Sequence, residues 1–386
     1  MYRYIVLAIF VIGWAQCNVI NEDDENELLM AFVVNRHGER TPDSDELSLS
    51  DQQEKIKKLT IIEGLEGLTN TGKRRAYQIG KFIRQRYGSQ GYGLLSNIYL
   101  QDEIMLRSTD KERTKMTAQM AMAAVFPPDS EQQWDDGLGK VWQPVPYTAV
   151  PLKEDYLRYY SNCKRFKDLM AIAKSESLYQ EFRPYTELFK LVQTTTGKDF
   201  SEDPLLFETL FDLFKSQVSL GLDIPNWAKP VLPKLGEAAK LAYRLYYRTE
   251  EMRRLGGGVI LNHFIETALD IINGKNVTKR FHMYSAHDFN IGSLMEVTGI
   301  SKHEQPVPEY GAIFGLELFR SRVTGEFSVL PIYVAKAGES SLQKLHFTYC
   351  DASGSYCNFD KFRNSTRHQL LPEWEFYSIC DIRTEL

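Results

Sequence analysis

The chain has 386 residues, 43% of them apolar and 25% charged, which is ordinary globular usage with enough material for a sizeable core. That length favours two domains, or one domain carrying a large insertion. With Lys+Arg 46 against Asp+Glu 51 the net charge is -5, so there is no basic excess to neutralise a nucleic-acid backbone and too little acidity for a disordered polyanion.

The first element is a leader. Arg3 precedes the uncharged run 5–15, which is too short to span a bilayer and has the length of a secretory signal's apolar stretch. Ala15-Gln16-Cys17 then offers a small-residue cleavage site, so residues 1–17 are read as a signal peptide and the protein as secreted. No further run or tail suggests a membrane anchor. If Cys17 leaves with the leader, four cysteines remain, an even number suited to two disulfides in an oxidising compartment. Four cysteines admit three pairings. The seven-residue spacing across a turn-rich segment suggests Cys350–Cys357, leaving Cys163 for Cys380, and no CxxC spacing supports zinc. Asn276 and Asn364 head N-x-Thr sequons and are expected to carry glycan.

After the leader, the continuous apolar run 28–34 reads as a buried central strand. Thr69 to Gly72 supplies capping residues for a helix that places Ala76, Ile79, Ile83 and Tyr87 at helical spacing. A strand is expected over 103–108, followed by a Met- and Ala-rich helix that Pro127-Pro128 stops. Residues 151–275 change texture to long helical stretches. Strand signals return at 280–286, 311–320 and 326–335. The expected fold is therefore α/β: residues 25–150 and 276–386 build a sheet domain flanked by helices, and 151–275 form a smaller, mainly helical inserted lobe. The glycine run 256–258 lacks a P-loop lysine and is read as close helix packing.

Three expected strands end in chemistry-bearing residues. The first delivers Arg36, His37, Gly38 and Arg40; the second delivers Arg107; the third delivers His287 and Asp288. In open α/β sheets ligands bind beyond the carboxyl ends of the strands, so these groups can meet there. Three guanidinium groups together would repel one another unless a highly charged anion sat between them, and their planar forks suit phosphate. A neutral imidazole among arginines has its pKa pushed down and stays nucleophilic in acid. A carboxylic acid beside the second imidazole can protonate a leaving oxygen.

Arg36-His37-Gly38-x-Arg40-x-Pro42 with Ser285-Ala286-His287-Asp288 resembles the signature of the histidine acid phosphatases, and the likeness extends through 68–88, 106–128, 255–275 and the Cys350–Cys357 region. It is nearest to the animal branch of secreted, prostatic, lysosomal and insect venom types. The resemblance implies a phosphoglycerate-mutase-like sheet domain with a smaller helical domain, no metal and no cofactor. It implies His37 as the nucleophile that becomes phosphohistidine and Asp288 as the proton donor. Arg36, Arg40, Arg107 and His287 would hold phosphate, the substrates would be small phosphate monoesters, and a homodimer would be possible. Phe289 stands where Thr is common in the family, which reshapes the leaving-group side; four cysteines stand where some members have six. An inositol-polyphosphate phosphatase is the enzymatic alternative, and a silent binding protein the non-enzymatic one.

Overall fold

The computed structural model describes residues 25–134, 142–300, 307–351 and 354–383. The leader read over residues 1–17, with Cys17, lies outside the described residues.

A mixed sheet organises the chain. Strand β1 (Asn26–Arg36) is buried from Leu28 onward, as its unbroken apolar run requires of a strand covered on both faces. It pairs in parallel with β3 (Phe281–Ala286), which pairs in parallel with β2 (Ile104–Ser108). On its other side β1 pairs antiparallel with β4 (Ile313–Ser321), and β4 pairs antiparallel with β5 (Phe327–Val334). The order β2-β3-β1-β4-β5 puts the carboxyl ends of β1, β2 and β3 on one edge. Register fixes that edge: Arg36 lies opposite Ala286, and Ser108 opposite Ser285.

Helices cover both faces. Asn70–Tyr87 and Glu112–Val125 pack on one side, burying Ile79, Ile83, Ala118 and Met122 against Ala31, Val33 and Phe281. Thr69 caps the first of these by accepting from the Gly72 amide. On the other side Glu250–Ile272 and Asp288–Val297 pack under Phe32, Val34 and Phe314. Glu250–Ile272 is the one helix among the described residues long and apolar enough to cross a membrane, and the core encloses most of it. Its glycines are there for contact. A Cβ on Gly257 would lie 2.6 Å from the Ser293 carbonyl oxygen, and one on Gly258 would lie 2.5 Å from that of Gln369.

The segment 151–275 is mainly helical, with Lys164–Gln180, Thr186–Thr196, Leu206–Ser219 and Leu232–Arg244. Its core of Phe182, Phe207, Leu210, Leu213 and Leu235 is continuous with the core beneath the sheet. Disulfides join Cys163 to Cys380, across 217 positions, and Cys350 to Cys357. Asn276 and Asn364 are both exposed.

Candidate active site

The carboxyl ends of β1 and β3 border a cavity of about 230 Å³ whose lining includes Arg36, His37, Arg40, His287 and Asp288. A larger open groove of about 1290 Å³ runs from Asn26 and Arg280, at the starts of β1 and β3, past Gln78 and Tyr92 to Val334. It contains none of these groups, and the position expected of a ligand site in a parallel sheet belongs to the smaller cavity.

The segment after β1 is fastened before it reaches the cavity. Arg36 N donates to Ala312 O at 2.9 Å, His37 N to Ala286 O at 3.1 Å, and Thr69 N to Glu39 O at 3.0 Å. Gly38 keeps the turn after β1 slim. Its nearest neighbour is protein: a Cβ there would fall 2.3 Å from Gly72 O, at the start of the Asn70–Tyr87 helix.

His37 is buried, and its two nitrogens have different partners. Nδ1 lies 2.8 Å from Gly38 O, so the carbonyl requires a proton on Nδ1. Nε2 is left with its lone pair and accepts from Arg113 Nε at 3.1 Å. Burial, then Arg113, Arg36 and Arg40, push the His37 pKa well below its ordinary value. His37 is therefore a neutral imidazole with a defined tautomer.

Cations surround that nitrogen. Burial alone would favour a neutral Arg36, but Asp288 and Asp212 outweigh it and hold the guanidinium charged. Arg36 Nη2 lies 3.0 Å from Asp212 Oδ2 and 3.0 Å from Asp288 Oδ2, and Arg36 sits over the Tyr310 ring at 4.3 Å. Arg40 makes a two-pronged pair with Glu46, at 2.8 and 2.5 Å. Arg113 Nη1 reaches Glu66 Oε2 at 2.5 Å, and Lys111 shares that oxygen at 2.8 Å. The Arg113 pKa is lowered, by burial and by Arg40, which is the signature of clustered cations with too few anions.

His287 caps the Asp288–Val297 helix and Asp288 opens it. His287 Nε2 lies 3.1 Å from Thr109 Oγ1, and burial together with Arg113 and Arg158 pushes its pKa well below the ordinary value. Its ring stands edge-on to that of His37 at 5.4 Å. The Asp288 carbonyl accepts from Tyr243 Oη at 2.9 Å, which steadies the helix start. Beyond Asp288, Phe289 stacks on Tyr246 at 4.0 Å and leans on Tyr160 at 4.9 Å, giving the cavity an aromatic wall.

Five of the six residues expected at the site by sequence line this cavity; Arg107 does not. Arg107 lies within β2 in register with Tyr284, and its side chain goes to other partners. Its Nη2 pairs with Asp155 Oδ1 at 2.5 Å, and its guanidinium covers Tyr156 at 4.5 Å. Arg113 and Arg158 line the cavity beside Arg36 and Arg40, and Arg113 is the one that contacts His37. It stands in the first turn of Glu112–Val125, and that turn carries it over the strand end to His37. It sits in the same quoted stretch, 106–128, and a helix starting at Glu112 could have signalled it. Asp212 and Glu208 were also missed. Their signal was faint: two acids four positions apart on the amphipathic helix Leu206–Ser219.

Glu208, Asp212 and Asp288 bring oxygens within 4.8 Å of one another, the one cluster with metal-like spacing among the described residues. Arg36 already supplies countercharge to two of them. The site can thus receive a compact anion among its arginines, with Nε2 of His37 available to attack it and the Asp288 carboxyl lining the same cavity.

The family model for the histidine phosphatase superfamily (branch 2) matches residues 27–333. Venom acid phosphatase Acph-1 of Apis mellifera is 31% identical over 76% of this chain and 74% of its own length. Prostatic acid phosphatase of Rattus norvegicus is 29% identical over 90% of this chain and 88% of its own. Among solved structures, the Klebsiella sp ASR1 phytase superposes with a TM-score of 0.66 at 17% identity, covering 90% of this chain and 98% of that one. At that identity the likeness is one of fold.

Proposed function

The chain belongs to the histidine phosphatase superfamily (branch 2) and is a hydrolase of the acid phosphatase kind, and from that premise we propose that it hydrolyses small phosphate monoesters through a phosphohistidine on His37. The observation that carries this reading is the His37 imidazole itself. Its Nδ1 is committed to Gly38 O, and its Nε2 lone pair is held among Arg36, Arg40 and Arg113.

In this reading the phosphate dianion settles among the three arginines and His287. Arg113 Nε turns from the imidazole to a phosphate oxygen, which frees Nε2. Nε2 bonds to phosphorus, the ester P–O bond breaks, and the leaving oxygen takes a proton from Asp288. In the second half water attacks phosphorus, the N–P bond breaks, and the water proton goes to Asp288. Charge developing on the phosphoryl oxygens stays beside guanidinium groups fixed by Asp212, Glu46 and Glu66. Because His37 is neutral well below pH 6.5 and the donor must be protonated, the expected working range is acid.

We propose export as well, supported by the two disulfides, the exposed sequons and the leader-like run 5–15. His37→Ala tests the chemistry: it should abolish turnover while inorganic phosphate still binds. Retention of near wild-type turnover in His37→Ala would end the proposal.

A further inference from the structure

We propose that Glu208 is a positioning residue for the transferred proton: it shares one proton with Asp288 and keeps that pair loaded for donation to the leaving group. This rests on the phosphohistidine reading above and concerns a group that reading does not use.

The geometry is a count of carboxyls against cations. Glu208, Asp212 and Asp288 lie within 4.8 Å of one another. Arg36 contacts Asp212 and Asp288, each at 3.0 Å, and Asp212 has additional cations in Lys215 at 3.6 Å and Arg40 at 4.0 Å. Among the described residues no cation lies within ion-pair distance of Glu208. Like charges this close do not all ionise, and the proton settles on the member without a countercharge. The groups facing Glu208 are Asp212 on its own helix, Arg36 from β1, Asp288 from the helix after β3, Glu46 from the Ser44–Ser48 turn of helix and Tyr246. Glu46 is engaged by Arg40, and Tyr246 is held neutral by burial. Burial, Asp212 and Asp288 together push the Glu208 carboxyl well above the usual range.

The cavity explains why such a pair is useful. Glu208 and Asp288 both line it, and Arg36 contacts Asp288. A bound phosphate attracts Arg36, which weakens its hold on Asp288, and the shared proton moves from Glu208 to Asp288. That proton passes to the leaving oxygen as the P–O bond breaks and the N–P bond forms. When water attacks, its oxygen and one hydrogen stay with phosphorus, and the other hydrogen returns to the pair. The cycle closes with no co-reactant. Glu208 sets how far up the pH scale the pair stays loaded.

The test is a pH profile of kcat for Glu208→Gln and Glu208→Asp, on an alkyl phosphate and on p-nitrophenyl phosphate, with inorganic phosphate inhibition as the check on folding. Glu208→Gln should lower alkyl kcat ~10- to 100-fold. Its alkaline limb should move to lower pH, because a pair that has lost its second carboxyl gives up its proton earlier. The aryl ester and phosphate inhibition should change by less than about threefold. Glu208→Asp, which keeps a carboxyl, should recover part of the alkaline limb. An unmoved limb in Glu208→Gln overturns the proposal, as does an equal loss on both esters that Glu208→Asp does not recover. A divalent-cation stimulation of the wild type that Glu208→Gln abolishes would also overturn it, by making the cluster a cation site. If wild type forms no phosphohistidine, the underlying mechanism fails; an unmoved limb with phosphohistidine intact sinks the role of Glu208 alone.

Discussion

Exchanging the roles of two arginines makes a sharp prediction. Arg113 Nε is 3.1 Å from the His37 nitrogen proposed to bond phosphorus, so its guanidinium would be within reach of the phosphoryl oxygens. Arg113→Ala should remove at least one charge-assisted hydrogen bond of about 1.5–3 kcal/mol. At about 1.4 kcal/mol per tenfold, that is a ~10- to 150-fold loss of kcat/KM for each bond. The fold should survive, since Glu66 keeps Lys111 at 2.8 Å. The acid limb should move as well. After burial, Arg113 leads the causes that depress the His37 pKa, so its loss lets that pKa rise, and the imidazole protonates at a higher pH. Arg107→Gln should do the reverse. It strands Asp155, which is 0% exposed, and breaking such a buried pair costs about 3–5 kcal/mol of stability. Steady-state kinetics with p-nitrophenyl phosphate across pH, alongside thermal unfolding, separates the two. Arg107→Gln with unchanged melting and a kcat/KM loss matching that of Arg113→Ala would refute the assignment.

Other consequences can be checked with the same assays. Asp288→Asn should lose ~10²-fold or more in kcat on alkyl phosphates and far less on p-nitrophenyl phosphate, whose leaving group needs little protonation; equal losses would place the proton donor elsewhere. Phe289→Ala removes the ring stacked on Tyr246 and should raise KM for aryl phosphates ~3- to 10-fold while leaving that of small alkyl esters nearly unchanged. Replacing both Cys163 and Cys380 with serine opens a loop of 217 positions and should cost ~5 kcal/mol by chain entropy, against ~2 kcal/mol for the local Cys350–Cys357 bridge, as read by denaturant unfolding.

The elements whose sequence signal is strong are those where one principle dominates. The run 28–34 is apolar because β1 is covered on both faces, and Asn70–Tyr87 announces itself through Thr69 and a buried stripe every three to four residues. His37 and Asp288 stand directly at strand ends, where a linear reading places them correctly beside the cavity. Arg107 misled because it too is near a strand end. Register decides between it and Arg113: Arg107 faces Tyr156 and Asp155, and only the first helical turn beyond β2 crosses to His37. Asp212 and Glu208 come from a helix far away in sequence whose approach to Arg36 is a tertiary event. No local pattern encodes such a meeting. The triple glycine was legible as packing, but which backbone it met, Ser293 and Gln369, required the fold.

The central claim is a covalent bond between phosphorus and Nε2 of His37, and trapping that bond tests it most directly. Wild-type protein mixed with labelled phosphomonoester, quenched within the first turnover and digested, should carry phosphate on the peptide containing Arg36-His37-Gly38. The linkage should be labile in acid and stable in base, and it should be absent from His37→Ala. Label found on a serine, threonine or aspartate, or label of the same stability persisting in His37→Ala, would contradict the account.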